Sequence, residues 1–278
     1  MRPTLSPSRA ADFMQCPLLY RFRVVDRLPE EPSAAAARGT LVHAVLEHLF
    51  DVPAADRTID TAVALLEPQW AALLEQEPEL ATLIGEDTSQ ESTALESWLA
   101  DAAELVRRWF ALEDPNRLEP AERELYVEAE IDGLTLRGYI DRLDEAPGNL
   151  LRVVDYKTGR SPSELFEAKS LFQMKFYALV LWRTRGVVPR MLQLVYLGNS
   201  EIVRYVPEEA DLLATERKVM ALWRAIERAA TTGDWRPHRT KLCDWCSHQA
   251  LCPEFGGTPP PLPVPAEGRT EDSGVTRG

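Results

Sequence analysis

The 278-residue sequence lacks several features that mark common protein classes. It contains no stretch that approaches the roughly 20 consecutive apolar residues of a membrane-spanning helix. Its first residues, MRPTLSPSRAADF, include no apolar run that could form the core of a signal peptide. There is also no glycine-rich phosphate loop, no G-x-S-x-G motif and no repeat period. We therefore expect a cytoplasmic protein that has no membrane segment.

Basic residues are scarce relative to acidic ones. The chain has 31 Lys and Arg against 44 Asp and Glu, a formal net charge of −13, which at first argues against a nucleic-acid partner. The imbalance is local, however, because residues 51–132 hold 21 acidic and 5 basic side chains, whereas residues 137–246 hold 14 acidic and 18 basic ones. This distribution predicts an acidic outer region and a neutral-to-basic channel, so DNA stays an acceptable partner that binds more weakly as salt rises.

Hydrophobic periodicity predicts both helical and extended regions. An apolar period near 3.6 predicts helices over residues 40–50, 58–77, 93–112, 163–184 and 208–231. Alternating or short apolar runs predict strands over residues 124–131, 134–143, 149–156, 190–197 and 202–206. The order of these elements predicts an α/β fold in which a mixed sheet is packed with helices.

The length suits one large domain or two small ones. We expect a single domain over residues 1–255, with a helical insertion at about 51–120. Residues 256–278 (GGTPPPLPVPAEGRTEDSGVTRG) are rich in proline, glycine and polar residues, which predicts a disordered tail.

Two aspartates and a lysine lie on two neighbouring predicted strands. Asp155 and Lys157 end the third strand, and Asp141 lies on the strand before it. If these strands pair through the Pro147-Gly148 turn, the carboxylates converge, and such a pair favours a hard divalent cation such as Mg²⁺ or Mn²⁺. Lys157 shares a face with Asp155, and a fixed ammonium beside a metal-activated water suits phosphodiester hydrolysis. The alternative is an ordinary surface ion pair.

Four further polar residues are weaker candidates. His43 lies on the first predicted helix, where a lone histidine is more often packed or solvated than a ligand. Gln173 and Tyr177 share one helix face, which is either partly buried or in contact with DNA. Glu128, on the first strand, is either an exposed residue or an acid that supports the metal ligands.

The four cysteines form one pattern. Cys16 lies near the N-terminus, and Cys243, Cys246 and Cys252 follow near the C-terminus with C-x2-C-x5-C spacing. A reducing cytosol favours metal ligation over disulfides, and four thiolates suit either tetrahedral zinc or an iron–sulfur cluster. Ligation would tie the two ends of the fold together.

As a set, these motifs resemble those of the RecB-family exonucleases of the PD-(D/E)XK nuclease superfamily. The resemblance covers about residues 5–255 and is strongest to stand-alone bacterial members and to the iron–sulfur nuclease domain of AddB-type helicase–nucleases. It is carried by Leu5-Ser6-Pro7-Ser8, Cys16-Pro17, Tyr20, Arg38-Gly39-Thr40 with His43, Gly138-Tyr139-Ile140-Asp141-Arg142, Asp155-Tyr156-Lys157-Thr158-Gly159, Gln173 with Tyr177, and the three C-terminal cysteines.

The resemblance implies a restriction-endonuclease-like mixed sheet flanked by helices, with an N-terminal helical insertion. It implies that His43, Asp141 and Asp155 bind the catalytic Mg²⁺ or Mn²⁺ and that Lys157 assists the attacking water. The superfamily's Pro-Asp pair is Ile140-Asp141 here, and its second acidic position is an aspartate.

The remaining motifs carry over in the same way. Gln173 and Tyr177 match the family's Q-x3-Y motif, which organises the active site and binds DNA. The cysteines match the ligands of a [4Fe–4S] cluster rather than zinc; they are Cys16, Cys243, Cys246 and Cys252.

The predicted function is that of a metal-dependent DNA nuclease, a RecB-like exonuclease acting on single-stranded or frayed ends in repair or recombination. No helicase motif is present, so any unwinding would come from a separate helicase partner. One alternative is a non-catalytic iron–sulfur DNA-binding or adaptor module of a repair complex. Another is a nuclease whose cysteines bind zinc.

Overall fold

The computed structural model describes residues 3–84, 91–161 and 164–263. The chain divides into two compact units. The first comprises residues 1–11 and 31–223, and the second comprises residues 12–30 and 224–278. The single domain expected over residues 1–255 therefore spans both units.

A six-stranded mixed sheet forms the centre of the first unit. Its strands are β1 (Thr4–Leu5), β2 (Glu122–Ile131), β3 (Leu134–Ala146), β4 (Leu150–Lys157), β5 (Met191–Tyr196) and β6 (Glu201–Tyr205). The order is β1-β3-β4-β5-β6, with β2 paired to β3. The β1–β3 and β4–β5 pairs are parallel and the others antiparallel. The predicted α/β fold with a mixed sheet is confirmed, and β1 is a strand that the hydrophobic pattern did not predict.

Tight turns fix the pairing of the first long strands. Asp132 and Gly133 join β2 to β3 with φ values of 48° and 80°, the combination that a two-residue turn of type I′ requires. Gly148 and Asn149 join β3 to β4, also with positive φ values. Because both turns are short, the register of the three strands is set locally.

Helices cover the sheet and form most of the predicted insertion. They are α1 (Pro7–Gln15), α2 (Pro17–Tyr20), α3 (Ala34–His48), α4 (Ile59–Ala64), α5 (Leu66–Gln76), α6 (Glu91–Leu112), α7 (Glu164–Arg185) and α8 (Glu209–Thr232). The longer ones agree with the predicted helices, with two exceptions: the helix expected over 58–77 is divided at Leu65 into α4 and α5, and α3 begins six residues earlier than expected. It begins after Ser33, whose hydroxyl accepts a hydrogen bond from the Ala36 amide at 3.4 Å.

The acidic helices pack an apolar face onto the sheet. Trp109 of α6 is fully buried against Phe50 and the ring of Tyr156, with centroid distances of 6.1 and 6.4 Å. Val154 of β4 and Leu41 of α3 belong to the same buried cluster. The helical insertion is therefore an integral part of the core, because burial of its apolar face stabilises it.

The second unit consists of short elements. The π-helix Arg21–Val25 follows α2, and the 3₁₀ turns Lys241–Trp245, Gln249–Leu251 and Pro253–Phe255 follow α8. The Tyr20 and Trp235 rings stack at 6.0 Å.

The predicted tail begins in this unit. Arg21 donates to the Pro260 carbonyl and pairs with Asp26 at 3.0 Å, so residues near the start of the tail make ordered contacts. The rest of the tail, residues 264–278, lies outside the described residues. Among the helices that the structure describes, none is long and apolar enough to span a bilayer.

Candidate active site and cysteine group

Three potential ligands for a cation meet in the first unit. They are His43 on α3, Glu124 on β2 and Asp141 on β3, and one ligand atom from each lies within 4.8 Å of the other two. His43 and Asp141 are residues that the sequence predicts as metal ligands, whereas Glu124 is not among the predicted site residues. We call these three residues the metal group.

An interruption of the strand pairing creates room for this group. Arg123 pairs with Arg142 and Leu125 with Ile140, so Glu124 lies opposite Asp141. The Glu124 backbone has a φ of 43°, an unusual value for a non-glycine residue in a strand. Such departures are stabilised by their surroundings and concentrate at functional sites.

Asp141 bridges the place where β3 and β4 separate. The regular pairing of these strands ends at Arg142 and Val154. Beyond it, Asp141 Oδ2 accepts a hydrogen bond from the Tyr156 amide at 2.7 Å. The carboxylate thereby takes the place of a ladder partner and is held in a fixed position.

The His43 ring is oriented by the same residue of β4. His43 Nε2 lies 3.0 Å from the Tyr156 carbonyl oxygen, to which it can only donate, and Nδ1 lies 3.5 Å from Asp141 Oδ2. Burial lowers the pKa of His43, although the charges of Asp155 and Glu124 oppose this shift. A neutral ring with a proton on Nε2 leaves the Nδ1 lone pair available to a cation.

The carboxyls of the group bind protons tightly. Burial raises the pKa of Asp141 well above its ordinary value, and the nearby Asp155 charge adds to this shift. Burial and then the Asp141 charge raise the pKa of Glu124 to about 7. Crowded acids of this kind are stabilised in the ionised form by a cation, and two carboxylates with one imidazole suit Mg²⁺ or Mn²⁺. The donor set therefore fits a divalent ion.

A hydrogen-bonded chain of predicted site residues lies beside the metal group. Asp155 is 2 % exposed, and Lys157 Nζ lies 2.7 Å from its Oδ2. Gln173 on α7 donates to Asp155 Oδ1 at 3.0 Å and accepts from Lys157 at 3.0 Å. The Gln173 amide also lies 3.2 Å from the Tyr177 hydroxyl. Helix α7 therefore holds the aspartate and the lysine through one amide group.

Lys157 remains a cation in this environment. Burial favours its neutral form, but the charges of Asp155 and Asp141 outweigh that effect and raise its pKa. A protonated ammonium at this position can donate a hydrogen bond or stabilise negative charge that develops on a phosphate.

Tyr177 lies close to β3 because of a glycine. A Cβ atom built on Gly138 would lie 2.7 Å from a carbon of the Tyr177 ring, which is too close for any other residue type. The glycine in the Gly138-Tyr139-Ile140-Asp141 motif thus allows α7 to approach the sheet.

The structure brings together all but one of the predicted active-site residues, although Asp155, a predicted metal ligand, lies outside the metal group. Glu128 lies four residues beyond Glu124 on β2, is exposed and accepts a hydrogen bond from the Tyr126 hydroxyl. The position at the metal group belongs to Glu124. Glu124 could have been predicted from the sequence. The two-residue Asp132-Gly133 turn sets the register of β2 and β3, and this register places Glu124 opposite Asp141.

The four cysteines line one pocket within the second unit. The pocket is formed by Cys16, Cys243, Cys246 and Cys252 with neighbouring apolar residues. Burial raises the pKa of Cys252, and the other three thiols add to the shift.

Backbone amides surround this pocket. The His238 amide lies 3.4 Å from Cys16 Sγ, and the Thr240 amide lies 3.3 Å from Cys243 Sγ. Four thiols, two of which accept from these amides, form a donor set that fits a metal or an iron–sulfur group.

Comparison with known proteins identifies the family. The model of the PD-(D/E)XK nuclease superfamily matches residues 4–253. The chain belongs to this superfamily. Its relatives include the Gene 69 proteins of Mycobacterium phages D29 and L5, which are 28 % and 24 % identical to it. Both alignments cover 91 % of this chain and 97 % of the phage protein.

A solved structure supports the same fold. A Eubacterium rectale protein described as a candidate exonuclease superposes with a TM-score of 0.55 at 17 % identity. The superposition covers 89 % of this chain and 88 % of that protein. At this level of identity the likeness concerns the fold alone.

Proposed function

We propose that this protein is a metal-dependent DNA nuclease of the RecB type that hydrolyses phosphodiester bonds at single-stranded or frayed DNA ends. The observation that carries the proposal is the adjacency of the metal group to the Asp155–Lys157 pair, within a chain of the PD-(D/E)XK superfamily. A cation site beside a fixed ammonium is the arrangement that phosphodiester hydrolysis requires.

The residues divide the chemistry between them. His43, Glu124 and Asp141 would hold Mg²⁺ or Mn²⁺, with Asp155 directly behind them. When bound, the ion supplies an activated water and a Lewis acid for the phosphate oxygen. Lys157 orients the attacking water or neutralises charge on the phosphate as the bond to the leaving oxygen breaks.

The supporting residues act on Asp155 and Lys157. Gln173 fixes both side chains through its amide, and Tyr177 lies beside that amide. In this proposal, Gln173 holds the Lys157 ammonium beside Asp155 and so keeps the lysine facing the metal group. Tyr177 is buried, at 6 % exposure, so its part in the proposal is to support this amide rather than to contact the nucleic-acid strand.

We further propose that the cysteine group holds a [4Fe–4S] cluster. The four thiols line one pocket, as the four ligands of such a cluster must. We favour a cluster over zinc because the cysteine pattern resembles that of the family's cluster-binding members, and its role would be to stabilise the second unit.

A nuclease of this type would act in the cytoplasm during DNA repair or recombination, and a separate helicase would supply unwound strands. The excess of basic residues over residues 137–246 supports DNA as the substrate.

A cleavage assay tests this function. The full chain, purified without oxygen, is incubated with Mn²⁺ and end-labelled single-stranded or duplex DNA. We expect wild-type protein to degrade single strands and Asp155→Asn protein to lose at least about 100-fold of the rate. If wild-type protein with an intact cluster cuts no substrate with any divalent ion, the enzyme is excluded and a DNA-binding module remains.

A further inference from the structure

One residue of β4 contacts two members of the metal group through its backbone. The Tyr156 amide donates to Asp141 at 2.7 Å, and its carbonyl oxygen lies 3.0 Å from His43 Nε2. These two residues come from different elements, α3 and β3. Their relative position therefore depends on where the Tyr156 backbone lies.

The Tyr156 side chain packs edge-on against the His43 ring, with the centroids 6.0 Å apart, and is anchored by a buried arginine. Arg142, which is 1 % exposed, donates from Nη1 to the Tyr156 hydroxyl at 2.5 Å. Its guanidinium carbon lies 5.6 Å from the centre of the Tyr156 ring. Burial raises the pKa of the Tyr156 phenol, so the hydroxyl stays neutral and can accept this bond.

A carboxylate at the end of α6 fixes the arginine in turn. Arg142 donates to both oxygens of Glu113, at 2.8 and 2.9 Å. Glu113 also accepts from Trp109 Nε1 at 2.8 Å and from Gln193 Nε2 at 3.0 Å. Burial alone would favour the neutral acid, but the bonds and charge of Arg142 outweigh it, and the pKa of Glu113 is lowered.

Stability is a weak explanation for this network. A buried ion pair must offset the cost of removing both charges from water, and well-packed apolar residues often stabilise a core equally well. What a bidentate ion pair provides is a defined geometry. Here the ion pair fixes the Tyr156 side chain, and the backbone of the same tyrosine bonds to two members of the metal group.

We propose that Arg142 and Glu113 are positioning residues for divalent-metal binding, acting through Tyr156 on Asp141 and His43. The proposal rests on the proposed nuclease function. Residues that orient metal ligands typically contribute 10- to 100-fold to metal affinity. Arg142 lines the same pocket as the metal group, but its guanidinium has no lone pair to offer a cation, and Glu113 does not line that pocket. Both therefore act on the residues that bind the ion.

The same unit contains a matched control. Arg57 is also buried, at 3 % exposure, binds both oxygens of Glu119 and lies 5.0 Å from the Phe50 ring. Its other contacts are backbone carbonyls outside the metal group, such as that of Val52 at 2.8 Å. Arg57 thus has the burial and the ring contact of Arg142, and a carboxylate partner that is 77 % rather than 7 % exposed, without the connection to Asp141.

The test measures Mn²⁺ affinity by titration calorimetry together with the melting temperature. Tyr156→Phe keeps the ring and removes only the hydroxyl, and Arg142→Lys removes the bidentate geometry while keeping the charge. We expect both to raise the Mn²⁺ dissociation constant by about 10-fold, with DNA cleavage recovering at saturating Mn²⁺. Arg57→Lys should lower the melting temperature and leave the dissociation constant within about twofold of wild type.

The outcomes separate this inference from the proposed function. If wild-type protein binds Mn²⁺ and cuts DNA but folded Tyr156→Phe protein binds Mn²⁺ as wild type does, the positioning role is wrong and the nuclease assignment stands. The same conclusion follows if Arg57→Lys weakens Mn²⁺ binding as much as Arg142→Lys does. If wild-type protein binds no divalent ion, both proposals fail.

Discussion

The two units of the molecule differ in how their candidate sites are supported. In the first unit, the metal group lies on long strands and helices around a large apolar core. Its ligands are already oriented by backbone hydrogen bonds, such as the one from Tyr156 to Asp141. In the second unit, the cysteines are half-buried and are carried by short helical turns. The first site is built by the fold, whereas we propose that the second contributes to its own fold once its ligand is bound.

This difference has a thermodynamic consequence. When a site is formed before the ion binds, little conformational entropy is lost on binding. Loss of the ion should therefore change the activity more than the free energy of unfolding. A site on short turns with few buried apolar residues gains its order from its ligand, because binding free energy then becomes folding free energy. Loss of each group should therefore produce a different defect.

Removal of one cysteine should produce the most complete effect. Cys246→Ser is expected to abolish the visible absorbance of the anaerobically purified protein and to expose residues 224–263 to protease, because the cluster loses a ligand. The neighbouring exposed position supplies the control, Ser247→Ala, which should retain colour and resistance. Absorbance spectra and limited proteolysis measure both effects.

Either of two results would contradict this difference between the two units. If wild-type protein is colourless and contains zinc at the cysteines, the cysteines bind a single metal ion and the cluster assignment is wrong. A Cys246→Ser protein that loses its colour but resists protease as wild type does would show that the second unit is stable without its ligand.

A smaller effect is expected at Glu124 and depends on pH. With a pKa of about 7, Glu124 in the metal-free protein holds its proton below neutrality and must release it when a cation binds. Mn²⁺ should therefore bind more tightly as the pH rises from 6 to 8. Glu124→Gln should weaken binding by about 10-fold at pH 8 and less at pH 6, giving a shallower pH dependence. Titration calorimetry at both values measures this.

The control at Glu124 is another acid of the same strand. Glu128→Gln removes an equal charge from an exposed position and should leave Mn²⁺ binding unchanged. Equal losses in the two variants would mean that general charge, rather than ligation by Glu124, governs the affinity.

The stability of the metal-free protein should depend on pH in the opposite direction to its Mn²⁺ affinity. The raised pKa means that the folded, metal-free protein holds the Glu124 proton more tightly than the unfolded chain does, so this group's contribution falls as the pH rises towards 7. Without metal, Glu124→Gln protein should therefore melt at a higher temperature than wild type at pH 8, and the difference should shrink at pH 5.

Much of the fold could be predicted from the sequence because its elements are long and regular. Strands β2 to β4 are joined by short turns whose residues favour positive φ, so both the strands and their pairing can be read locally. The helices α1 and α2 could not be predicted in this way. With nine and four residues they are too short to show an apolar period, although Pro7 and Pro17 occupy the first helical position that proline favours.

The site was predictable where chemistry is local and less so where it depends on distant contacts. Asp155 and Lys157 are two residues apart on one strand and share a face. Gln173 and Tyr177 are four residues apart on one helix and also share a face. Glu113 is different, since it lies in a strongly acidic stretch whose charges are expected on solvated faces. Its burial follows from Arg142, which is 29 residues away, and no local pattern reports such a contact.

Lys157 is proposed to take part in phosphodiester hydrolysis beside a divalent cation. The most direct measurement is the single-turnover cleavage rate of end-labelled single-stranded DNA at saturating Mn²⁺ for Lys157→Met and Lys175→Met proteins. Lys175 is a matched control because its ammonium also pairs with an aspartate, Asp211, at 3.0 Å. We predict a loss of about 100-fold or more for Lys157→Met and less than about twofold for Lys175→Met. Equal rates in the two folded variants would contradict the account.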